Sequence, residues 1–224
     1  MKIIVTGATS GIGYELSKAL TAKGHQVFAT GRNQTKLQAL KEETGCLVGD
    51  ADLADAQQTV DIFHTGVKAL GGLDVLINNA GMNSRKCTIE AFTNEEFDLQ
   101  YAINLRAPAI LCREAVKVMK PAGHGHIFNV VSTVAKRASE TMGVYTAMKQ
   151  GLSGLNDVLM KEVQPHGIKV TALYPGGTDT NFREAERPQY MQPQSVAETI
   201  TTLLELPSDV IIHELLFRPQ VELE

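Results

Sequence analysis

Val144, Met148, Leu152, Leu155, Leu159 and Val163 recur at the spacing of an amphipathic helix, and Tyr145 and Lys149 stand one turn apart on it. A phenol with a pKa near ~10 is a poor base at neutral pH. An ammonium close by favours phenolate and lowers that value. Paired in this way, a tyrosine can act as a general acid toward a carbonyl or as a general base toward an alcohol. Two residues alone do not make a site, since a helix surface carrying one tyrosine and one lysine has the same spacing. Ser132 adds a third polar group, at the carboxyl end of residues 127–131 (Ile-Phe-Asn-Val-Val), an apolar run suited to a buried strand just before that helix.

A second stretch offers backbone chemistry. Thr6-Gly7-Ala8-Thr9-Ser10-Gly11-Ile12-Gly13 follows a short apolar run at residues 2–5 and leads into Ile12, Leu16, Ala19 and Leu20 at helical spacing. A strand turning through glycines into a helix leaves N–H groups unpaired at the helix start, where the dipole also favours an anion. The glycines remove the Cβ atoms that would hold a ligand off the main chain. The spacing is G-x-x-x-G-x-G and not the G-x-G-x-x-G of the common dinucleotide fingerprint. This turn therefore predicts a phosphate cradle, with a purely structural glycine turn as the alternative.

The elements that must position these groups alternate along the whole chain. Strands are predicted at residues 2–5, 26–30, 47–49, 73–78, 127–131, 169–174 and 210–217, with helical patterns between them. Thr93-Asn94-Glu95-Glu96 has the form of a capping box and opens a long helix that contains Pro108. The last helix is expected from about residue 195 to 206, after a polar segment at 183–194, holding Pro188 and Pro193, that reads as mobile. Such alternation, without a composition break or repeat, predicts an α/β fold: one Rossmann-type, doubly wound, mostly parallel seven-stranded sheet with helices on both faces, a single domain over residues 1–224. Right-handed crossovers place ligand groups at the carboxyl ends of the strands, where Thr6, Thr30, Asp50, Asn78, Ser132 and Tyr174 fall.

Composition excludes other classes. The 224 residues are 43% hydrophobic and carry a formal charge of −4 with no basic cluster, which argues against nucleic-acid and membrane-surface partners. No apolar run approaches the roughly 20 residues that span a bilayer. The N-terminal apolar run is too short for a secretory signal. Cys46, Cys87 and Cys112 are scattered, without C-x-x-C, as expected of a reduced, cytoplasmic chain. His124 and His126 flank Gly125 in a predicted turn, and no metal site is expected.

Taken in order, the glycine turn, Asn78-Asn79-Ala80-Gly81, Ser132 and Tyr145-Thr146-Ala147-Met148-Lys149 resemble the short-chain dehydrogenase/reductase family over about residues 2–206. G-x-x-x-G-x-G is the form of turn that family uses. The resemblance implies an oxidoreductase that moves a hydride between a nicotinamide and a carbonyl or secondary alcohol. Tyr145 would pass the proton to or from the substrate oxygen, and Ser132 would hydrogen-bond that oxygen. Lys149 would bind the nicotinamide ribose, and the main-chain carbonyl of Asn104 would hold a water linking Lys149 to solvent. Pro108 has no N–H for the carbonyl of Asn104, which leaves that carbonyl free for such a water, or marks an ordinary proline kink.

For the cofactor, the resemblance places Gly7, Thr9, Ser10, Gly11, Ile12 and Gly13 on the phosphates and Asp52 with Leu53 at the adenine, Asp50 being the competing acid. Asn79, Ala80 and Gly81 would border the ribose together with Tyr145 and Lys149. Pro175, Gly176, Thr178 and Thr180 would lie beside the nicotinamide. Residues 29–33 (Ala-Thr-Gly-Arg-Asn) after the second strand hold no acid to accept from a ribose 2′-OH, whereas Arg32, beside Asn33, can bind a 2′-phosphate. NADP(H) is expected over NAD(H), although Ser10 stands where many NADP-using relatives carry a second basic residue.

Pocket candidates are Met82, Asn83, Thr133, Val134, Met142, Gly176, Gly177 and Phe182, with Arg85, Lys86, Lys136 and Arg137 at a rim or simply solvated. The substrate is expected to be a small carbonyl or alcohol. The segment at 214–219 (Glu-Leu-Leu-Phe-Arg-Pro) resembles the branch with broad hydroxy-acid or carbonyl activity, and the fourth and fifth helices could pair across a two-fold in a homodimer or homotetramer. A non-catalytic NADP(H)-binding redox sensor is the alternative. An S-adenosylmethionine methyltransferase would explain the glycine turn but leave the tyrosine–lysine pair unexplained.

Overall fold

The computed structural model describes residues 1–180, 182 and 187–222. Among them seven strands, β1 (Lys2–Thr6), β2 (Gln26–Gly31), β3 (Leu47–Asp50), β4 (Val75–Asn78), β5 (Gly125–Val130), β6 (Ile168–Pro175) and β7 (Glu214–Phe217), form one sheet in the order β3-β2-β1-β4-β5-β6-β7. Every pairing is parallel, so the sheet is wholly and not just mostly parallel. The chain winds outward from β1 to β3 and returns to β4 on the other side of β1. That reversal opens the crevice at the carboxyl ends of β1 and β4.

Among the described residues, seven α-helices cover the sheet: α1 (Gly11–Ala22), α2 (Gln34–Thr44), α3 (Ala56–Leu70), α4 (Asn94–Tyr101), α5 (Ala107–Ala122), α6 (Gly143–Val163) and α7 (Pro193–Leu204). Alternate residues of β1 serve opposite faces. Ile3 and Val5 pack with Leu16 and Leu20 of α1, Leu40 of α2 and Ile200 of α7. Ile4 packs with Phe63 of α3, Leu111 of α5 and Leu159 of α6. Burial on both faces is why the strands read as apolar runs with no polar alternation.

Three boundaries depart from the sequence-based expectation. The single long helix after Thr93 is two helices, α4 and α5, joined by a π-helical turn at Ala102–Arg106. There the N–H of Ala107 donates to the carbonyl of Ala102, five residues back, and Pro108, with no N–H to give, follows at once. The capping box is present as expected, with Thr93 and Glu96 each accepting from the other's backbone N–H. The final strand is only Glu214–Phe217. Residues 210–213 are tied alongside β6 by other bonds, among them Ala172 N–H to the His213 carbonyl at 2.9 Å and the Thr171 hydroxyl to the Ile212 carbonyl at 2.6 Å. Helix α7 starts at Pro193, which tolerates the first turn because its missing N–H would be unpaired there anyway. Of the segment expected to be mobile, residues 183–186 lie outside the described residues. Its described end is held, since Met191 N–H donates to the Gly177 carbonyl at 3.1 Å. No helix among the described residues is long and apolar enough to cross a membrane.

Candidate active site

The glycine turn joins β1 to α1 with Gly7 at φ +70° and Gly11 at φ +56°, conformations that favour glycine. Gly13 is required for a different reason. A Cβ there would stand 2.4 Å from the Gly7 carbonyl oxygen and 2.5 Å from Asn79 Nδ2, so α1 could not come so close to the turn. Asn79 and Ala80, just past β4, are fastened to the same place. Their N–H groups donate to Thr6 Oγ1 at 3.1 and 3.0 Å, and Asn79 Nδ2 donates to the Thr6 carbonyl at 2.9 Å. Ser10 precedes α1 without a side-chain cap, and the first turn of α1 holds no acid. Thr9 lies against Gly31, and Thr180 against Gly11.

The β2 and β3 ends supply the rest of this side. Arg32 is exposed and makes no ion pair among the described residues. Asn33 is used as the N-cap of α2, its Oδ1 accepting from Lys36 N–H at 2.9 Å. Asp50 accepts from Gln34 Nε2 at 2.9 Å, while Asp52 Oδ1 accepts from Ala54 N–H at 3.0 Å beside buried Leu53.

On the other side of the crevice, Tyr145 and Lys149 lie in the first turns of α6, and both are buried. Lys149 Nζ is 5.8 Å from the Tyr145 ring centroid and donates to the Val130 carbonyl at 2.8 Å. Ser132, two residues beyond that carbonyl, begins a short 3-10 turn and accepts from Val134 N–H at 3.3 Å. Burial pulls the Lys149 amine down to about 7. Burial thus disfavours its ammonium, and any further acceptor that joins the Val130 carbonyl favours the charged form. Asn104 sits in the π-helical turn, fully buried. Its carboxamide clamps Met82, accepting from Met82 N–H at 3.0 Å and donating to the Met82 carbonyl at 2.7 Å. Gly81 lies between Asn104 and Lys149, since a Cβ on it would be 3.2 Å from Asn104 Oδ1 and 3.4 Å from Lys149 Nζ. The structure thus brings together Gly81, Asn104, Tyr145 and Lys149 from three separate parts of the chain, with Ser132 two residues past the Val130 carbonyl that Lys149 meets.

Gly176 and Gly177 after β6, pocket candidates by sequence, are covered by protein. Gly177 N–H donates to Glu222 Oε2 at 2.9 Å. A Cβ on Gly176 would strike Glu222 and Arg218, and one on Gly177 would strike Glu222 and Tyr190. Those two glycines therefore face protein on that side, not an open pocket, and Thr178 is buried next to them. Phe182 does reach the site, its ring 5.7 Å from that of Tyr145. Asn83 and Met142 border the same depression as Tyr145. Arg85 and Lys136 are neutralised by Glu96 and Glu214, each at 2.8 Å. Thr6 and Asn78 stand at strand ends as expected, whereas Glu222, Asn129 and Asn156 had no signal in sequence spacing, because each acts through a partner far away in the chain. Among the described residues no three His, Cys, Asp or Glu side chains gather as metal ligands would.

The residues present fit a dinucleotide. The α1 start carries no acid and no side-chain cap on its N–H groups, Gly13 and Gly81 keep the backbone bare where a Cβ would intrude, and Arg32, past β2, makes no ion pair among the described residues. Comparison with known proteins agrees. The short chain dehydrogenase family matches residues 1–191. An uncharacterized oxidoreductase of Staphylococcus aureus is 30% identical over 223 residues, spanning 96% of each chain. A serine dehydrogenase from Escherichia coli superposes with a TM-score of 0.91 at 25% identity, covering 100% of both chains. A metagenomic short-chain oxidoreductase solved in complex with NADP superposes with a TM-score of 0.86 at 29% identity, covering 98% of this chain and 97% of that one. The chain belongs to the short-chain dehydrogenase family of oxidoreductases.

Proposed function

We propose that the protein is an NADP(H)-dependent oxidoreductase acting on a carbonyl or secondary alcohol, with Tyr145 as its general acid and base. The observation that carries this reading is the buried Lys149 amine beside the Tyr145 ring, anchored on the Val130 carbonyl two residues from Ser132. NADP(H), which the glycine turn, Arg32 and Lys149 would hold, would supply or accept the hydride. Ser132 Oγ orients the substrate oxygen, and Tyr145 gives or takes the proton at its phenol oxygen. Lys149, when charged, favours the phenolate and holds the ribose hydroxyls. Asn104 fixes the Met82 backbone at the edge of the site, and Phe182 provides an apolar wall against Tyr145. Arg32 is the group for the 2′-phosphate.

Similarity to a serine dehydrogenase, and the segment at 214–219, support including hydroxy acids among the substrates. NADPH oxidation with a panel of aldehydes, ketones and keto acids, and NADP+ reduction with serine and other 3-hydroxy acids, test the reading directly. Turnover of at least one substrate class is expected. NADPH binding without turnover across the whole panel would leave a redox sensor as the better account.

A homodimer or homotetramer is supported by Phe97 and Tyr101 of α4 and Val158 of α6, large apolar side chains left exposed on neighbouring helices. Light scattering on the eluting protein is expected to give the mass of two or four chains, and a single-chain mass would overturn this part.

A further inference from the structure

Beneath the catalytic residues lies a row of buried carboxamides that the proposed chemistry does not use. Asn78 Nδ2 on β4 donates to Asn129 Oδ1 on β5 at 2.8 Å, and Asn129 Nδ2 donates in turn to Asn156 Oδ1 on α6 at 3.0 Å. Cys112 of α5 closes the group, with its sulfur 3.3 Å from Asn78 Nδ2 and 3.6 Å from Asn129 Oδ1. All four residues are buried among apolar neighbours, where an unpaired amide is costly and a paired one fixes its partners. Their place in the chain gives the row its meaning. Asn129 is the residue before Val130, whose carbonyl receives Lys149 Nζ. Asn156 is two helical turns beyond Lys149 on the same face of α6, about 10 Å along the axis. One end of β5 therefore grips α6 at two points, and Ser132 follows directly from that grip.

Apolar side chains alone fill such an interface well in several helix settings, because dispersion and burial are not directional. A hydrogen bond between buried amides is directional and holds only one rotation and one depth of the helix. We propose that Asn156 is a positioning residue: its bond to Asn129 sets α6 against β5 so that Lys149 meets the Val130 carbonyl, two residues before Ser132. The catalytic part of this inference rests on the oxidoreductase reading above, whereas the placement of Lys149 does not.

The test compares Asn156→Leu, which keeps the volume and removes the hydrogen bond, with Asn156→Asp, which keeps an acceptor oxygen in the same place. Lysine labelled with 13C at Cε reports the setting of Lys149 directly, its signal identified by its loss in Lys149→Met. In Asn156→Leu that signal is expected to move and kcat to fall about 10- to 100-fold, with the Kd for NADPH raised by less than kcat falls, since Lys149 is one of several groups that hold the cofactor. In Asn156→Asp both are expected to return toward the parent. A merely structural asparagine would lower the melting temperature of Asn156→Leu and leave the Lys149 signal and kcat where they were. Should the leucine variant fail to fold, Asn156→Ser, which weakens the bond by its shorter reach, carries the same comparison. An unmoved Lys149 signal in a folded variant overturns the proposal, as does a moved signal with unchanged kcat. Absence of turnover in the parent would count against the oxidoreductase reading alone, because the Lys149 signal requires no reaction.

Discussion

Tyr145→Phe is expected to bind NADPH within about threefold of the parent and to lose turnover by about 10³-fold, within the range that general acid–base groups contribute. The substitution removes one oxygen and leaves the ring, which is buried and in contact with Phe182, so packing is kept. Lys149 keeps its bond to the Val130 carbonyl, which does not involve the phenol. What is lost is the phenol proposed to exchange a proton with the substrate oxygen. Stopped-flow binding and steady-state rates on the same preparation separate the two effects. Retained turnover in Tyr145→Phe would sink the proposed role of Tyr145. Loss of NADPH binding along with turnover would show instead that the tyrosine holds the cofactor.

Arg32→Asp is expected to shift the ratio of kcat/KM for NADPH over NADH by about 10²- to 10³-fold toward NADH. Removing the guanidinium loses charge-assisted bonds to a 2′-phosphate, each worth about 1.5–3 kcal/mol. The new carboxylate repels that phosphate and accepts from a 2′-OH in its place. The side chain is exposed and makes no ion pair among the described residues, so little stability is at stake. Asn33 continues to cap α2 through Lys36 and so preserves the local backbone. An unchanged ratio would remove Arg32 from the cofactor assignment and leave Asp50 and Asp52 as the groups that decide adenine-ribose recognition.

Much of the architecture was legible in the chain because its physics is local. Strands buried on both faces must be apolar along their length, so residues 2–5 and 127–131 stand out without any alternation. The capping box at Thr93 and Glu96 is a contact between residues one turn apart, and it appears in the structure as its spacing predicts. The break at Pro108 was half legible. A missing N–H is visible in the sequence, but the helix answered it with a π-helical turn instead of a kink within one continuous helix. Asn104 lies in that turn, and its carboxamide is bonded to the Met82 backbone, 22 residues away in the chain. Residues at 210–213 looked like strand because they are apolar, yet only Glu214–Phe217 pair with β6.

By itself, the sequence determined the sheet-and-helix alternation, the glycine turn ahead of α1, and the presence of a tyrosine and a lysine on one helical face. Each depends on residues within a turn or a strand of one another, where backbone geometry fixes the outcome. Only the tertiary structure decided that Gly81, Asn104 and Lys149 meet, that Glu222 closes over Gly177 from 45 residues away, and that Asn156 joins Asn129 beneath the site. It also decided the chemistry of Lys149, whose amine is pulled to about 7 by burial that no spacing reveals. Desolvation is a property of everything packed around a group, and that packing exists only once distant segments have come together.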